Sequence, residues 1–382
     1  MTIVPVVSSR SMAGEPKHRE ISRQLRSEIS QGRYGPRGRL PSEAQLMDRF
    51  QVSRPTVARA LRDLQEAGLI ERRAGAGTFV RSDAPDGAMA GTRQLGLLIP
   101  GLGSTEIFEV ICGELASLAR VRDYNLLWGG STHPRLNADA SVDDAQEVCR
   151  RFIDRKVAGV FFAPFEHIER KEEVNRGLAE NLRQAGIAVT LLDRDLGGFP
   201  SRSEFDLVGI DNFAGGYVLA EHLLKLRCRR IVFVARPLSA PTINARAAGA
   251  REALTARGLP IPPDFVRTGE PHDAAFVASL GAGRDVDAII CANDYTAALL
   301  MRTLERINVP VPNTVRLVGF DDVKYATLLS VPLTTIHQPC REIAATAMQA
   351  MLERIVAPTL PPRHLALTPR LVVRESCGAY LP

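Results

Sequence analysis

The sequence predicts an α/β protein in which a small helical unit precedes a larger, two-lobed body of doubly wound parallel sheet. The chain has 382 residues, which is enough for two or three domains of about 100 to 200 residues each. Helical periodicity marks three segments between residues 17 and 67, whereas short apolar runs alternate with amphipathic helices from residue 94 onward. Strands that alternate with helices over such a length form parallel sheets, because the chain must cross over between neighbouring strands.

The N-terminal unit begins with an arm and a first helix. Residues 1–15 lack periodicity and are expected to be disordered. The first helix is predicted over Lys17–Ser30, with Ile21, Leu25 and Ile29 recurring every four residues on its buried face. The glycines that follow this stretch end the helix.

The second and third helices are each marked by a serine cap. Ser42 and Gln45 have the spacing of a capping box, which opens a short helix that ends at Phe50. Ser53 follows after a tight connection and caps a third helix that runs to about Ala67. Two helices joined by so short a turn are typical of a helix-turn-helix.

Two short strands follow these helices. The segments 69–72 and 78–81 flank Gly75-Ala76-Gly77, which is the turn chemistry of a β-hairpin. Three helices followed by a hairpin form a winged helix-turn-helix over residues 16–81, in which the helix after the short turn enters the major groove of DNA.

Basic charge is concentrated in this unit. Residues 1–81 hold 15 Lys and Arg against 8 Asp and Glu, and the remainder holds 33 against 35. Only five of the 48 basic residues are lysine, so arginine must supply the bidentate contacts to phosphate or guanine. The asymmetry indicates a polyanion-binding head on a near-neutral body.

Short motifs in the head closely resemble the DNA-binding domain of the GntR family, without a gap over about residues 17–81. They are Arg39-Leu40-Pro41-Ser42-Glu43, Val52-Ser53-Arg54-Pro55-Thr56-Val57, Ala60-Leu61-x-x-Leu64-x-x-Ala67-Gly68-Leu69-Ile70 and Gly75-x-Gly77-Thr78-Phe79-Val80. Ala44 and Ala58 stand where the family often has arginine, so the base preference is not expected to follow the family's usual one.

The docking mode and the resemblance identify candidate DNA contacts. Side chains at the N-terminal end of the recognition helix reach base edges, and glycines in the hairpin let the backbone approach phosphates. The candidate residues are Ser42, Ser53, Arg54, Pro55, Thr56, Arg59, Arg72, Arg73, Gly75, Gly77 and Thr78.

Residues 82–93 are small and polar, and we interpret them as a linker to the body over residues 94–382. Motifs in the body resemble the effector-binding domain of the LacI/GalR repressors and the related periplasmic sugar-binding proteins. The main ones are Asp193-Arg194, Val208-Gly209-Ile210-Asp211-Asn212-x-x-Gly215-Gly216, Arg246-x-x-Gly249, Ala292-Asn293-Asp294, Val318-Gly319-Phe320-Asp321-Asp322 and Pro332-Leu333-Thr334-Thr335-Ile336-x-Gln338. Together with the head, the body resembles the arabinose-repressor type of bacterial transcription regulator.

The resemblance implies a two-lobed, periplasmic binding protein-like domain through which the chain crosses between lobes three times. The crossings are expected near 196, 321–324 and 336–338. Lobe one is then expected to hold about residues 94–195 and 322–336, and lobe two about residues 197–320 and 338–375.

Candidate effector contacts follow the strands of the body. Ligands of open α/β sheets bind outside the carboxyl ends of the strands, and carboxylate, amide and guanidinium groups suit the hydroxyls of a polyol. The resemblance implies contacts from Ser104, Asp193, Arg194, Arg246, Asn293, Asp321 and Gln338, and the strand-end rule adds Glu106 and Asp294. Any one of them could instead cap a helix or pair between lobes, and Glu106 could simply begin a helix, where a negative charge is favoured.

These features predict a cytoplasmic, homodimeric transcription regulator that binds a palindromic operator in double-stranded DNA. The resemblance implies a repressor released by a small sugar or sugar derivative, although an activator or a corepressor-requiring regulator fits the same architecture. A sugar-binding transport protein would need a signal peptide and no DNA-binding head, and no apolar stretch of about 18 residues could span a membrane. The sequence contains no catalytic or nucleotide-binding motif and no clustered metal ligands, so neither enzyme activity nor a cofactor or metal is expected.

Overall fold

The computed structural model divides into two compact units, Met1–Gly91 and Thr92–Pro382. It describes residues 17–30, 34, 38–66, 69–73, 77–80, 93–100, 106–129, 138–198 and 200–381. The predicted arm, and the predicted linker apart from Arg93, lie outside the described residues.

The N-terminal unit has the predicted order of three helices and a hairpin. The elements are α1 (Lys17–Ser30), α2 (Glu43–Phe50), α3 (Arg54–Glu66), β1 (Ile70–Arg73) and β2 (Gly77–Val80). The two strands pair antiparallel, with Ile70 opposite Val80.

One apolar core holds this unit together. Leu25 of α1, Leu46 of α2 and Leu61 of α3 are fully buried in the same cluster. Burying a leucine side chain stabilises a fold by roughly 1.5–3 kcal/mol. The predicted capping box is present, because the Ser42 amide donates to Gln45 Oε1 at 2.8 Å and Ser42 Oγ accepts from the Gln45 amide at 3.3 Å.

The second unit alternates strands and helices throughout its described length. Its first elements are β3 (Gln94–Leu98), α4 (Glu106–Val121), β4 (Asn125–Trp128), α5 (Ala138–Asp154), β5 (Gly159–Phe162), α6 (Lys171–Gln184), β6 (Ala188–Leu192) and β7 (Asp206–Ile210). The next are α7 (Asn212–Lys225), β8 (Ile231–Ala235), α8 (Thr242–Thr255), β9 (Val266–Thr268), α9 (Ala274–Ser279), β10 (Ala288–Cys291), α10 (Asp294–Arg306) and β11 (Arg316–Val318). The last are a 3₁₀ turn (Lys324–Thr327), β12 (Thr335–His337), α11 (Cys340–Val356), β13 (His364–Leu367) and β14 (Arg370–Val372).

Two parallel sheets define the two lobes of this unit, and the predicted α/β class is confirmed. The first lobe holds a six-stranded sheet in the order β13-β7-β6-β5-β3-β4, and the second a four-stranded sheet in the order β11-β10-β8-β9. Strands β12 and β14 form a separate antiparallel pair. Such sheets leave the carboxyl ends of their strands free for a ligand.

The lobe limits differ from those expected from the sequence. Strand β7 pairs with β6 and β13, so the first lobe extends through Ile210 and the chain first leaves it at Asp211, not near 196. The local pattern marks β7 as a strand but cannot say which sheet it joins, because both sheets are parallel and accept similar apolar strands.

The two later segments are also exchanged relative to the expectation. Residues 322–336 belong to the second lobe, where Val323 and Leu333 lie in its core. Helix α11 and strand β13 were expected in the second lobe, but they pack on α4 and β7 of the first. Helix α11 takes this place because its buried face, which includes Ala347 and Met351, covers the first sheet.

Asp206 anchors the edge of the first sheet. Its buried carboxylate accepts hydrogen bonds from Arg354 at 2.9 Å and from the Arg363 amide, also at 2.9 Å. Burial disfavours the charged carboxylate, but hydrogen bonds from Arg354 and Arg363 prevail and lower the pKa of Asp206. The ion pairs join β7 to the C-terminal end of α11 and to the start of β13.

Helices α7 and α8 of the second lobe touch backbone to backbone. A Cβ atom at Gly216 would lie 1.9 Å from the Arg246 carbonyl oxygen, and one at Gly249 would lie 1.9 Å from the Phe213 carbonyl oxygen. Only glycine permits this approach. The contact fixes the position of Arg246, whose side chain enters the cleft between the lobes.

Candidate DNA-binding surface and effector site

The start of α3 presents the predicted recognition residues. Arg54 is the first residue of the helix, and 76% of its side chain is exposed. Pro55 and Arg59 are also exposed, while Thr56 is half-buried and its Oγ1 lies 3.0 Å from Ser53 Oγ. The N-terminal end of a recognition helix is the part that reaches base edges in helix-turn-helix proteins.

Glu43 joins the recognition helix to the hairpin, which the sequence reasoning missed. Its carboxylate accepts from Arg54 Nε at 3.1 Å and from an Arg72 guanidinium nitrogen at 2.8 Å. The two arginines are thereby held side by side on one surface. No local pattern reveals this arrangement, because Glu43 and Arg72 are far apart in the chain.

The hairpin needs glycine where the sequence has it. Gly77 adopts a φ of 117°, and a Cβ there would lie 2.9 Å from Arg39 Nε. Thr78 is half-buried and its carbonyl accepts from the Leu40 amide at 2.9 Å. Gly75 and the side chain of Arg73 lie outside the described residues.

A charged cluster lies at the strand ends of the first lobe. Arg194 follows β6, and its guanidinium contacts Asp193 at 3.1 Å and Glu166, which follows β5, at 2.7 Å. Burial disfavours the charged form of Glu166, but the charge of Arg194 prevails and lowers the pKa of Glu166 to about 2. Glu166 was not among the predicted residues, although the strand-end rule applied to β5 would have found it.

The second lobe contributes Arg246. Its side chain donates to Asn212 Oδ1 at 2.8 Å and to the Ala292 carbonyl at 2.6 Å, and it lies 3.8 Å from Asp321 Oδ1. The guanidinium carbon sits 3.6 Å from the centre of the Phe320 ring. Burial lowers the pKa of Arg246, while the charges of the neighbouring carboxylates oppose that change.

Asp321 and Gln338 complete the cluster. Gln338 Nε2 donates to Asp321 Oδ1 at 2.7 Å, and both side chains are buried. Burial raises the pKa of Asp321 to about 7, although Arg246 and Gln338 oppose the rise. Among the described residues, Asp193 Oδ1 and Gln338 Oε1 are buried without a hydrogen-bond partner.

Five predicted effector residues therefore meet: Asp193, Arg194, Arg246, Asp321 and Gln338. Electrostatic interactions link Arg246 to Asp321, Asp193 and Arg194 at once, which places them in one cluster. Two cavities of about 290 and 270 Å³ adjoin the cluster, the first lined by Asp193 and the second by Asp321 and Gln338.

The other predicted effector residues have structural partners or lie outside the described chain. The Asn293 side chain caps α10 by accepting from the Thr296 amide at 2.8 Å. Asp294 is fully buried within the second lobe and accepts from Thr335 Oγ1 at 2.6 Å.

Glu106 begins α4, and its Oε2 accepts from the Lys324 amide at 2.9 Å. Glu106 also lines the cavity of about 270 Å³. It therefore begins a helix, as the alternative interpretation has it, and still faces the cleft. Ser104 lies outside the described residues.

Family comparisons match both units. Residues 17–80 match the bacterial regulatory proteins of the gntR family, and residues 220–377 match the periplasmic binding protein-like domain. The chain joins a GntR-type DNA-binding domain to a periplasmic binding protein-like domain. This composition places it among bacterial transcription regulators.

The relatives of this chain match either its whole length or part of it. The chain is 24% identical over 371 residues to the arabinose metabolism transcriptional repressor of Geobacillus stearothermophilus, covering 94% of this chain and 97% of that protein. It is 31% identical over 184 residues to the ribose operon repressor of Escherichia coli K12, covering 46% and 55% respectively. The solved transcriptional regulator CelR–cellobiose complex superimposes with a TM-score of 0.62 at 24% identity, over 85% of this chain and 92% of that one.

The described part of the chain holds neither a metal-ligand cluster nor a helix that could span a membrane. No group of three or more His, Cys, Asp or Glu side chains there could hold a metal ion. Every helix described there is too short or too polar to cross a bilayer.

Proposed function

We propose that the protein is a sequence-specific transcriptional repressor that leaves its operator when a small, sugar-like effector binds between the two lobes of the body. The observation that carries the proposal is the buried polar cluster formed by both lobes, on a chain that also bears a winged helix-turn-helix. The relatives named for arabinose and ribose, and the CelR structure with cellobiose, support a sugar as the effector class.

In the head, we assign base readout to the start of α3 and phosphate contacts to the hairpin. Arg54, Thr56 and Arg59 project from the recognition helix, and a bidentate arginine contact to guanine discriminates between bases by about 1–3 kcal/mol. Arg72 and Arg73 lead into the hairpin turn, where Gly75, Gly77 and Thr78 let the backbone approach the DNA. Ser42, Ser53 and Pro55 orient the two helices of the motif.

In the body, we assign effector binding to the cluster of Asp193, Arg194, Arg246, Asp321 and Gln338. Guanidinium groups donate paired hydrogen bonds to adjacent hydroxyls, and carboxylates accept them. The unpartnered oxygens of Asp193 and Gln338 are acceptors that a hydroxyl-rich ligand would satisfy. Glu106 stands at the cleft edge in this proposal, Ser104 is retained as a contact implied by the resemblance, and Asn293 and Asp294 support the lobe from within.

The response follows from the geometry of the cleft. Because the cluster draws residues from both lobes, an effector contacts the full set only when the lobes are closed. A ligand shifts such an equilibrium only by its differential affinity for the two arrangements. We further propose that the protein acts as a homodimer on a palindromic operator, since a two-fold protein matches two half-sites.

The DNA-binding half of the proposal is tested with Arg54→Ala. A duplex selected by the parent protein from a random pool serves as operator, and binding is measured by fluorescence anisotropy. The variant should lose about ten- to a hundredfold in operator affinity while its affinity for random duplex changes little. Arg302→Ala, at an exposed position of α10, is the control and should bind the operator as the parent protein does. Unchanged operator affinity of the Arg54 variant would contradict the assignment.

The effector half is tested by thermal shift and operator release with arabinose, ribose and cellobiose. Binding of one sugar should raise the unfolding temperature and dissociate the operator complex. A sugar that binds but strengthens the operator complex would instead identify a corepressor-requiring regulator or an activator.

A further inference from the structure

Two loops meet across the cleft next to the charged cluster, whose member Glu166 lies in one of them. One follows β5 of the first lobe and holds Glu166 and His167, and the other follows β8 of the second lobe and holds Leu238. The His167 amide donates to the Leu238 carbonyl at 2.8 Å, and His167 Nδ1 lies 2.9 Å from the Pro237 carbonyl oxygen. The loops belong to different lobes, so these contacts exist only when the lobes are closed.

Lys171, the first residue of α6, strengthens the same contact. Its ammonium donates to the carbonyls of Leu238 at 2.7 Å and Ser239 at 2.5 Å. One lobe thus contacts three consecutive residues of the other, Pro237, Leu238 and Ser239, through their backbone carbonyls.

The backbone at this contact is held in an uncommon conformation on both sides. His167 has a φ of 59° and Leu238 a φ of 56°, in the left-handed region that residues other than glycine rarely adopt. Leu238 is 44% exposed, whereas Ala240 is buried and Ser239 Oγ donates to the Arg236 carbonyl at 2.8 Å within the loop. The polar contacts from the first lobe add to these local contacts in favouring this loop conformation.

We propose that His167 and Lys171, together with residues 237–239, form an interlobe latch, and that Lys171 sets the effector concentration at which the regulator responds. The first part concerns closure alone, and the second rests on the proposed function. Lys171 acts here as a positioning residue, because its hydrogen bonds go to the backbone of the other lobe and not to the predicted effector residues.

The latch acts through the balance between open and closed lobes. Its contacts stabilise only the closed form, so losing Lys171 lowers the ratio of closed to open molecules. Hydrogen bonds to a charged group typically account for about a tenfold change, equivalent to about 1.4 kcal/mol. Apparent effector affinity is proportional to the fraction of protein in the binding-competent form.

Closure is measured on the full chain without any sugar. Fluorophores on non-natural residues at the exposed positions Glu169 and His272, one in each lobe, report the closed fraction by single-molecule energy transfer. Lys171→Ala should lower the ratio of closed to open molecules about tenfold, and Lys171→Arg should restore most of it because arginine also donates to carbonyls. Lys225→Ala, which removes an ammonium paired within α7, is the matched control.

The response is measured as the sugar concentration that half-releases the operator. In Lys171→Ala this midpoint should rise by the ratio of the closed fractions of parent and variant, and operator affinity in the absence of sugar should change only by the ratio of their open fractions. A closed-to-open ratio within twofold of the parent value overturns the latch. A lowered ratio with an unmoved sugar midpoint overturns the role of Lys171 in the response. If arabinose, ribose and cellobiose all fail to bind the parent protein, the proposed function fails, whereas the sugar-free measurement still decides the latch.

Discussion

Truncation of Arg246 should both destabilise the body and abolish the effector response. The side chain is 4% exposed and bonds to Asn212 and the Ala292 carbonyl, stacks on Phe320 and faces Asp321. Arg246→Ala leaves a buried carboxylate without its counter-charge and two acceptors without a donor. Removing one partner of a buried ion pair costs about 3–5 kcal/mol, and we expect a loss in this range for the second unit.

Urea unfolding followed by circular dichroism measures this loss, and anisotropy measures operator binding and release. The head lies in a separate unit, so the variant should still bind operator yet fail to leave it at sugar concentrations that release the parent protein. Arg246→Met is the control, because it keeps an apolar stem over Phe320 and should recover part of the stability without the sugar response. Normal release by sugar would refute the assignment of the cleft, and loss of operator binding would show that Arg246 serves the fold or the dimer instead.

Three further predictions concern stability, packing and salt dependence. Asp206→Asn should lower the free energy of unfolding by about 3 kcal/mol at pH 7. The pKa of Asp206 is lower in the folded protein than in the unfolded chain. The ion pairs of Asp206 therefore stabilise the protein fully at a pH above the unfolded pKa, and this stabilisation is lost as the pH falls through the folded pKa. The difference in urea midpoints should therefore shrink in acid, and a pH-independent difference would contradict the ion pairs. Gly216→Ala should destabilise by about 3 kcal/mol through overpacking, whereas Gly177→Ala in α6, whose Cβ would meet nothing within 4 Å, should stabilise by about 0.5–1 kcal/mol in thermal melts. Replacing Arg72 and Arg73 by alanine should weaken specific and random DNA binding alike and reduce the salt slope by about one unit per lost phosphate contact. An altered base preference at an unchanged slope would point to base readout instead.

The sequence by itself determined the head and the strand-helix alternation of the body. The limits of α1 and the cap at Ser42 follow from helical periodicity and local hydrogen bonding, which act over a few residues of chain. The strand-end rule also selected Asp193, Arg194 and Asp321, because in a parallel sheet the carboxyl ends of all strands lie at one edge.

Only the tertiary structure decided which lobe each segment joins and which polar groups meet. Strand β7 and helix α11 carry patterns that suit either sheet, so their placement depends on pairing between residues far apart in the chain. The bridge from Glu43 to Arg72 and the contact of Lys171 with Leu238 likewise join distant segments. Asp294 follows a strand end as the predicted ligand contacts do, yet its buried carboxylate accepts a hydrogen bond from Thr335 of the same lobe. The hydrophobic periodicity of a segment indicates whether it is a helix or a strand and which of its faces is buried. The contacts between distant segments depend instead on how the folded elements pack together.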